Sequence, residues 1–164
     1  MERYIFIIGL LVCSLGASAQ ISHILGKWKT VDDKTGKNYA VVSIYQSPDG
    51  LYYGRISQLL VGPKNLVCDQ CEGEDHNAPI EGLVIMRRMK YDAKKNQLVG
   101  GKVLDPESGK FYYGKIYPKD GKLILRGSLD KHGIFGRNQT WIRAKLIVNS
   151  VILMVFFIQK IKNP

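Results

Sequence analysis

The sequence predicts an all-β fold, a single antiparallel up-and-down barrel of eight strands formed by residues 20–144. Two observations predict it. Residues that favour tight turns (Asp, Asn, Pro and Gly) recur about every eight to fifteen positions. Between them lie short segments rich in Val, Ile, Tyr and Phe, in which side chains alternate with the period of two that is typical of strands.

This alternation places the strands in order along the chain. In the second strand, for example, Val41 and Tyr45 share one face, and Val42 and Ile44 share the other. The predicted strands are about 26–31, 38–46, 51–59, 83–90, 97–104, 110–117, 122–128 and 137–144. Closing eight strands into a barrel removes the open edges that make a flat sheet prone to aggregation. A sandwich of two sheets is the alternative, since one sequence does not show which edges pair.

Residues 1–19 have the pattern of a signal peptide. Arg3 supplies a positive charge, residues 5–12 are an apolar run too short to span a bilayer, and Ala17-Ser18-Ala19 offers the small residues that a signal peptidase needs. We therefore expect an exported protein of the periplasm or cell envelope, with secretion as a further destination. An uncleaved N-terminal anchor is the alternative.

The predicted loop 60–82 is long and contains two cysteines, Cys68 and Cys71. Cleavage of the signal would remove Cys13, and two thiols in an oxidising compartment most simply form a disulfide. A redox pair is one alternative, although redox cysteines usually begin a helix. A metal site with His76 as the third ligand is another, although two cysteines and one histidine make an incomplete zinc set.

The charge balance indicates which partners to expect. A formal net charge of +10 favours anionic partners, such as an envelope polymer or lipid headgroups. Nucleic acid is not an expected partner of an exported protein that has no long basic run. None of the three histidines stands in a recognisable pattern with a nucleophile and an acid, so no catalytic residue and no cofactor is assigned.

Residues 145–164 form an apolar tail with basic flanks. The thirteen residues 146–158 carry no charge and lie between Lys145 and Lys160. As a helix they would be about 20 Å long, shorter than the roughly 30 Å of a bilayer's hydrocarbon core. Residues 146–158 are therefore a candidate for membrane association, as a short span or as a helix lying on the membrane surface. An added strand and a translated extension outside the domain pattern are the alternatives.

Six segments together resemble a known family. They are Gly26-Lys27-Trp28, Tyr53-Gly54-Arg55-Ile56, the segments 77–83 and 100–112, Arg126-Gly127-Ser128-Leu129, and the segment 136–141. Their order and spacing are similar to those of the bacterial family called domain of unknown function 2147, over about residues 24–143. The resemblance implies a small exported domain with a lipocalin-like barrel, and it implies no activity.

The lipocalin likeness also suggests a structural pair. Lipocalins carry a Gly-x-Trp on the first strand, and its indole packs beneath the barrel against an arginine near the end of the last strand. Trp28 and Arg143 match these two positions. We expect them to close the barrel, through a cation–π contact of roughly 0.5–2 kcal/mol.

The expected function is noncatalytic binding of a small apolar or amphipathic ligand inside the barrel. The numerous tyrosines suit a ligand cavity and suit a filled core equally, and small barrels are often packed solid. One alternative is an envelope structural or interaction protein that uses its basic surface. Another is a redox or metal-dependent protein that uses Cys68 and Cys71.

Overall fold

A computed structural model describes residues 21–32, 35–60 and 66–145. The predicted signal peptide 1–19 and the predicted membrane segment 146–158 lie outside these described residues. The strands are β1 (Gly26–Val31), β2 (Asn38–Gln46), β3 (Tyr52–Leu59), β4 (Val84–Asp92), β5 (Gln97–Asp105), β6 (Lys110–Lys119), β7 (Lys122–Ser128) and β8 (Gly136–Arg143). A short 3-10 helix, Gly73–Asp75, interrupts the connection between β3 and β4.

The eight strands form a closed antiparallel barrel. Each strand pairs with the next in sequence, and β8 returns to pair with β1. The predicted barrel is therefore confirmed, and the alternative of a two-sheet sandwich is wrong. We call the end that holds residues 21–25 and the β2–β3, β4–β5 and β6–β7 hairpins the base. The other end, with the four remaining connections, is the loop end.

Two methionines fill the base half of the barrel. Met86 and Met89 on β4 are fully buried, and both point inward because Arg88, with a φ of 54°, forms a bulge between them. Glycines on neighbouring strands make room for them. A Cβ on Gly101 would overlap the Met89 sulfur, and one on Gly54 would lie 2.9 Å from the Met86 Cβ. This half of the interior is thus packed solid, as in other small barrels.

The long β3–β4 connection folds back onto the barrel instead of extending from it. The amide N–H of Ile80 donates to the Leu66 carbonyl, and that of Cys68 donates to the Ala78 carbonyl, so the two arms of the loop pair with each other. Gly109 in the β5–β6 turn packs closely against Gln70, where a Cβ would overlap the Gln70 backbone. Residues 66–83 of this connection therefore contribute Cys68, Cys71, Ile80 and Leu83 to the packed core.

Candidate functional site

The interior at the loop end differs from the solid base. Cross-strand pairing identifies the inward-facing residues there, because directly opposed residues share a face. Gly127 on β7 opposes Gly114 on β6 and Arg137 on β8. Gly114 packs on the interior residues Val103 and Met89, so Gly127 and Arg137 also face inward. We call the inward-facing surface at this end the cup. It is formed by Ala40, Ile56, Val103, Tyr112, Leu125, Gly127, Arg137 and Gln139.

Exposure rises along the barrel from the base to the cup. Inward-facing side chains of the base half, such as Met89 and Leu98, are fully buried. The apolar side chains of the cup are still largely covered, but solvent reaches 4% of Ile56, 7% of Leu125 and 8% of Val103. The apolar side chains of the cup are therefore buried as well, and solvent reaches this end through the partly exposed Tyr112 and Gln139 and the exposed Arg137.

Polar side chains line the wall of the cup. The indole N–H of Trp141 donates to the Gln139 side-chain oxygen at 2.8 Å, which ties the wall to the buried floor. Arg137 is exposed at the mouth, and it makes no ion pair or side-chain hydrogen bond with the described residues. An apolar floor with a few convergent polar groups is the usual composition of a small-molecule site.

The barrel wall is incomplete beside the cup. On its β1 side, β8 is paired only through Trp141, Ile142 and Arg143. Among the described residues, the preceding segment Gly136–Thr140 has no strand partner on that side, while its other side pairs fully with β7. Among the described residues, the seam between β1 and β8 is therefore paired only at its base half.

Trp28 and Arg143 meet at the base. The Arg143 guanidinium carbon lies 3.9 Å from the centroid of the Trp28 ring, and its two terminal nitrogens donate to the carbonyl oxygens of Leu25 and His23 at 2.7 and 2.8 Å. Partial burial lowers the pKa of Arg143 below its usual value. The Trp28 indole N–H donates to the carbonyl of Ile24, a fully buried residue that sequence patterns did not single out. That this pair stabilises the closed barrel remains a prediction.

Cys68 and Cys71 form the predicted disulfide, and both residues are buried. The Cys68 sulfur lies 3.5 Å from the Pro106 carbonyl oxygen, so the bridge fixes the long loop against the β5–β6 turn. His76 Nδ1 lies 2.9 Å from the Cys71 carbonyl oxygen. With both sulfurs in the bridge, neither is free as a thiolate ligand. Within the described residues, no three His, Cys, Asp or Glu side chains are grouped so that they could hold a metal.

Two open grooves lie on the outer wall. One, of about 620 Å³, lies between the long loop and the aromatic pair Tyr45 and Tyr53, and the Arg87–Asp75 ion pair of 2.7 Å lies at its edge. The other, of about 330 Å³, is lined by three basic residues, Lys95, Lys115 and Arg126. The second is the only one of the two with a one-sided charge, and it suits an anionic partner.

Sequence reasoning missed the polar wall of the cup, although a signal for it was present. Residues Arg137, Gln139, Trp141 and Arg143 alternate along β8 and therefore share the inner face. The clustering of exposed apolar residues at the loop end was missed as well, since it arises from topology rather than from any local pattern.

Fold and site together define a lipocalin-like barrel protein with a solid base and the cup at its loop end. The chain belongs to the family of uncharacterized proteins conserved in bacteria, DUF2147, whose model matches residues 26–143, and the resemblance inferred from the sequence is confirmed. A similar solved structure is protein HP1028 from the human pathogen Helicobacter pylori, described as belonging to the lipocalin family. The two chains are 22% identical with a TM-score of 0.64, over 74% of this chain and 83% of that one. Among curated proteins, no sequence matches this chain.

Within residues 21–32, 35–60 and 66–145, no helix has the length and apolar character needed to cross a membrane.

Proposed function

We propose that this protein is an exported, noncatalytic binding protein that holds a small amphipathic ligand in the cup. The observation that carries the proposal is the contrast between the two halves of the barrel. Methionines and close glycine contacts fill the base, whereas at the loop end the inward-facing Tyr112 and Gln139 are partly exposed and Arg137 is exposed. The apolar part of a ligand would cover Val103 and Leu125, and its polar end would lie near Gln139 and Arg137.

Export is part of this proposal. The buried disulfide between Cys68 and Cys71 supports it, because such bonds persist in oxidising compartments. The signal-like pattern of residues 1–19 supports it independently. Fractionation of host cells tests it, since a protein retained in the cytosol with reduced cysteines would contradict it.

Filling the cup tests the binding proposal. A Cβ on Gly127 would meet only the Tyr112 Cβ, at 3.7 Å, so Gly127→Leu adds a side chain to the cup without a clash at Cβ. Thr140→Leu is the matched control, because Thr140 opposes Ile124 on the outer face of the barrel. Dodecanoate is the probe, and the intrinsic fluorescence of Trp141 reports binding through its hydrogen bond to Gln139.

We expect wild type and Thr140→Leu to bind dodecanoate with equal affinity. Gly127→Leu should bind at least about tenfold more weakly, which corresponds to a loss of about 1.4 kcal/mol. Native mass spectrometry of protein purified from its host should in addition show a retained small amphiphile. Equal binding by Gly127→Leu, together with ligand-free protein from the host, would overturn the proposal.

The basic groove favours a second candidate function, attachment to an anionic envelope component. Lys95, Lys115 and Arg126 line this groove without an acidic neighbour among its lining residues. Exposed charges of this kind are screened by salt, so binding to an anionic polymer should weaken steeply as ionic strength rises. Binding to the anionic polymer that stays equally strong as the salt concentration rises would count against this function.

A further inference from the structure

Exposed apolar side chains are concentrated at one end of the molecule. Among the described residues, every large exposed hydrophobic side chain lies in, or within four residues of, a connection at the loop end. They are Tyr39, Leu60, Leu66, Val67, Phe111, Tyr113, Leu129, Ile134 and Phe135. An apolar concentration of this kind at one end is typical of an interaction surface.

The β7–β8 loop carries the most exposed group, which we call the tip. Leu129, Ile134 and Phe135 are 74%, 69% and 70% exposed. Apolar side chains this exposed are unfavourable in water unless a partner covers them. The three come from one seven-residue stretch, so a single contact would cover all of them.

The loop holds the tip in one conformation. The Asp130 carboxylate accepts hydrogen bonds from the backbone N–H groups of His132, Ile134 and Phe135, at 2.8 to 3.2 Å. Arg126 donates from the adjacent strand to the carbonyl oxygens of Gly133 and Ile134. The apolar side chains are therefore presented on an ordered backbone, which lowers the conformational entropy lost on docking.

Charges around the tip indicate its partner. Residues 126–137 contain three basic side chains, Arg126, Lys131 and Arg137, against a single acid, Asp130. The other acidic side chains described at the loop end belong to its three other connections, at Asp32, Asp69, Glu72, Glu74, Asp75, Glu81 and Glu107. An ordered apolar tip with a basic surround matches the interface of an anionic bilayer, where apolar side chains enter the headgroup region and basic ones contact lipid charges.

We propose that the β7–β8 loop docks on an anionic lipid bilayer, with Leu129, Ile134 and Phe135 inserted at the interface and Lys131 and Arg137 against the headgroups. This docking would bring the mouth of the cup and the unpaired segment of β8 to the lipid surface. The inserted residues Leu129, Ile134 and Phe135 lie outside the cup, and only Arg137 is shared with it, so the tip substitutions test docking separately from ligand binding.

Vesicle cosedimentation of the full chain tests the docking. The probes are vesicles of phosphatidylethanolamine with phosphatidylglycerol and vesicles of phosphatidylcholine alone. The tip variant is L129S/I134S/F135S, and Leu66→Ser is the matched control, because Leu66 is 69% exposed at the same end but in a different loop. Thermal unfolding of each variant checks that the barrel is intact, which we expect since all four side chains are exposed.

We expect wild type and Leu66→Ser to bind the anionic vesicles, with a partition coefficient at least about tenfold above that of the tip variant. Binding to phosphatidylcholine should be weak for all three proteins. Residues 146–158 are present in every variant, so binding through them would be the same in wild type and tip variant. Equal binding of those two proteins therefore overturns the proposal.

A fluorescent residue at the tip gives an independent readout. Trp28 and Trp141 are almost fully buried, so the tryptophan of Phe135→Trp would be the exposed one among the described residues. Its emission should shift to shorter wavelength on anionic vesicles, and lipids with brominated chains should quench it. Unshifted emission from vesicle-bound protein would overturn the proposal. So would self-association that the tip substitutions abolish while vesicle binding is unchanged.

Discussion

Glycines on the inner face show which half of the barrel has room for a side chain. A Cβ on Gly101 would overlap the Met89 sulfur and the Arg87 carbonyl oxygen, so Gly101→Ala should destabilise the protein by about 1–3 kcal/mol through overpacking. Gly127→Ala is the control on the same face, and it should be neutral or stabilise by up to about 1 kcal/mol. Urea unfolding measures the change in the free energy of unfolding for both variants. Equal effects of the two substitutions would mean that the halves do not differ in packing.

The contact between Trp28 and Arg143 gives a second prediction for single residues. Arg143→Ala removes the cation–π contact and two hydrogen bonds to the carbonyls of Leu25 and His23. We expect a loss of about 2 kcal/mol in the free energy of unfolding. Arg143→Lys should recover only part of it, since an ammonium group lacks the planar fork that reaches both carbonyls. Unchanged urea midpoints in both variants would show that the pair does not stabilise the barrel.

At the scale of elements, the disulfide should act on its loop rather than on the barrel. The bridge closes a ring of four residues, for which chain entropy predicts about 2 kcal/mol at most. C68A/C71A should therefore leave the barrel folded and accelerate hydrogen exchange at the backbone N–H groups of Asn77 and Ile80, which bond within the loop. Exchange that rises equally in β5 and β6 would instead show that the loop and the barrel unfold together.

The β7–β8 loop should loosen in acid. Hydrogen bonds from backbone N–H groups, that of Phe135 foremost, lower the pKa of Asp130 below its model-compound value of 3.8. A carboxyl whose pKa is lower in the folded loop stabilises that loop above about pH 3.8, and the stabilisation is lost as the pH falls through the folded-state pKa. The protection factors of the Ile134 and Phe135 amides, that is, their exchange rates relative to an unstructured peptide at the same pH, should therefore fall below that pH. In Asp130→Asn this pH-dependent fall should be absent, because the side-chain amide does not titrate.

For the molecule as a whole, the fold was more predictable than the site. Local turn chemistry and alternation specify strands, so β1, β2 and β7 begin and end at the predicted residues, and the barrel follows from their number. The bulge at Arg88 was not predictable, since a positive φ is uncommon for a residue other than glycine and no local pattern signals it. The cup and the tip were not predictable either, because both depend on which connections meet at one end of a closed barrel.

Ligand binding in the cup should stabilise the whole barrel. Leu125, Val103 and Ile56 belong to the same continuous core as the buried residues of the base, so the barrel should unfold as one unit. A ligand that binds only the folded state then adds about 2.7 kcal/mol to the free energy of unfolding at a free concentration 100 times its dissociation constant. Dodecanoate should raise the urea midpoint of wild type accordingly and that of Gly127→Leu less, because a tenfold weaker affinity at the same concentration adds only about 1.4 kcal/mol. Equal shifts in both proteins would place the binding site outside the cup, whereas no shift in wild type despite measured binding would mean that the unfolded chain binds the probe as well.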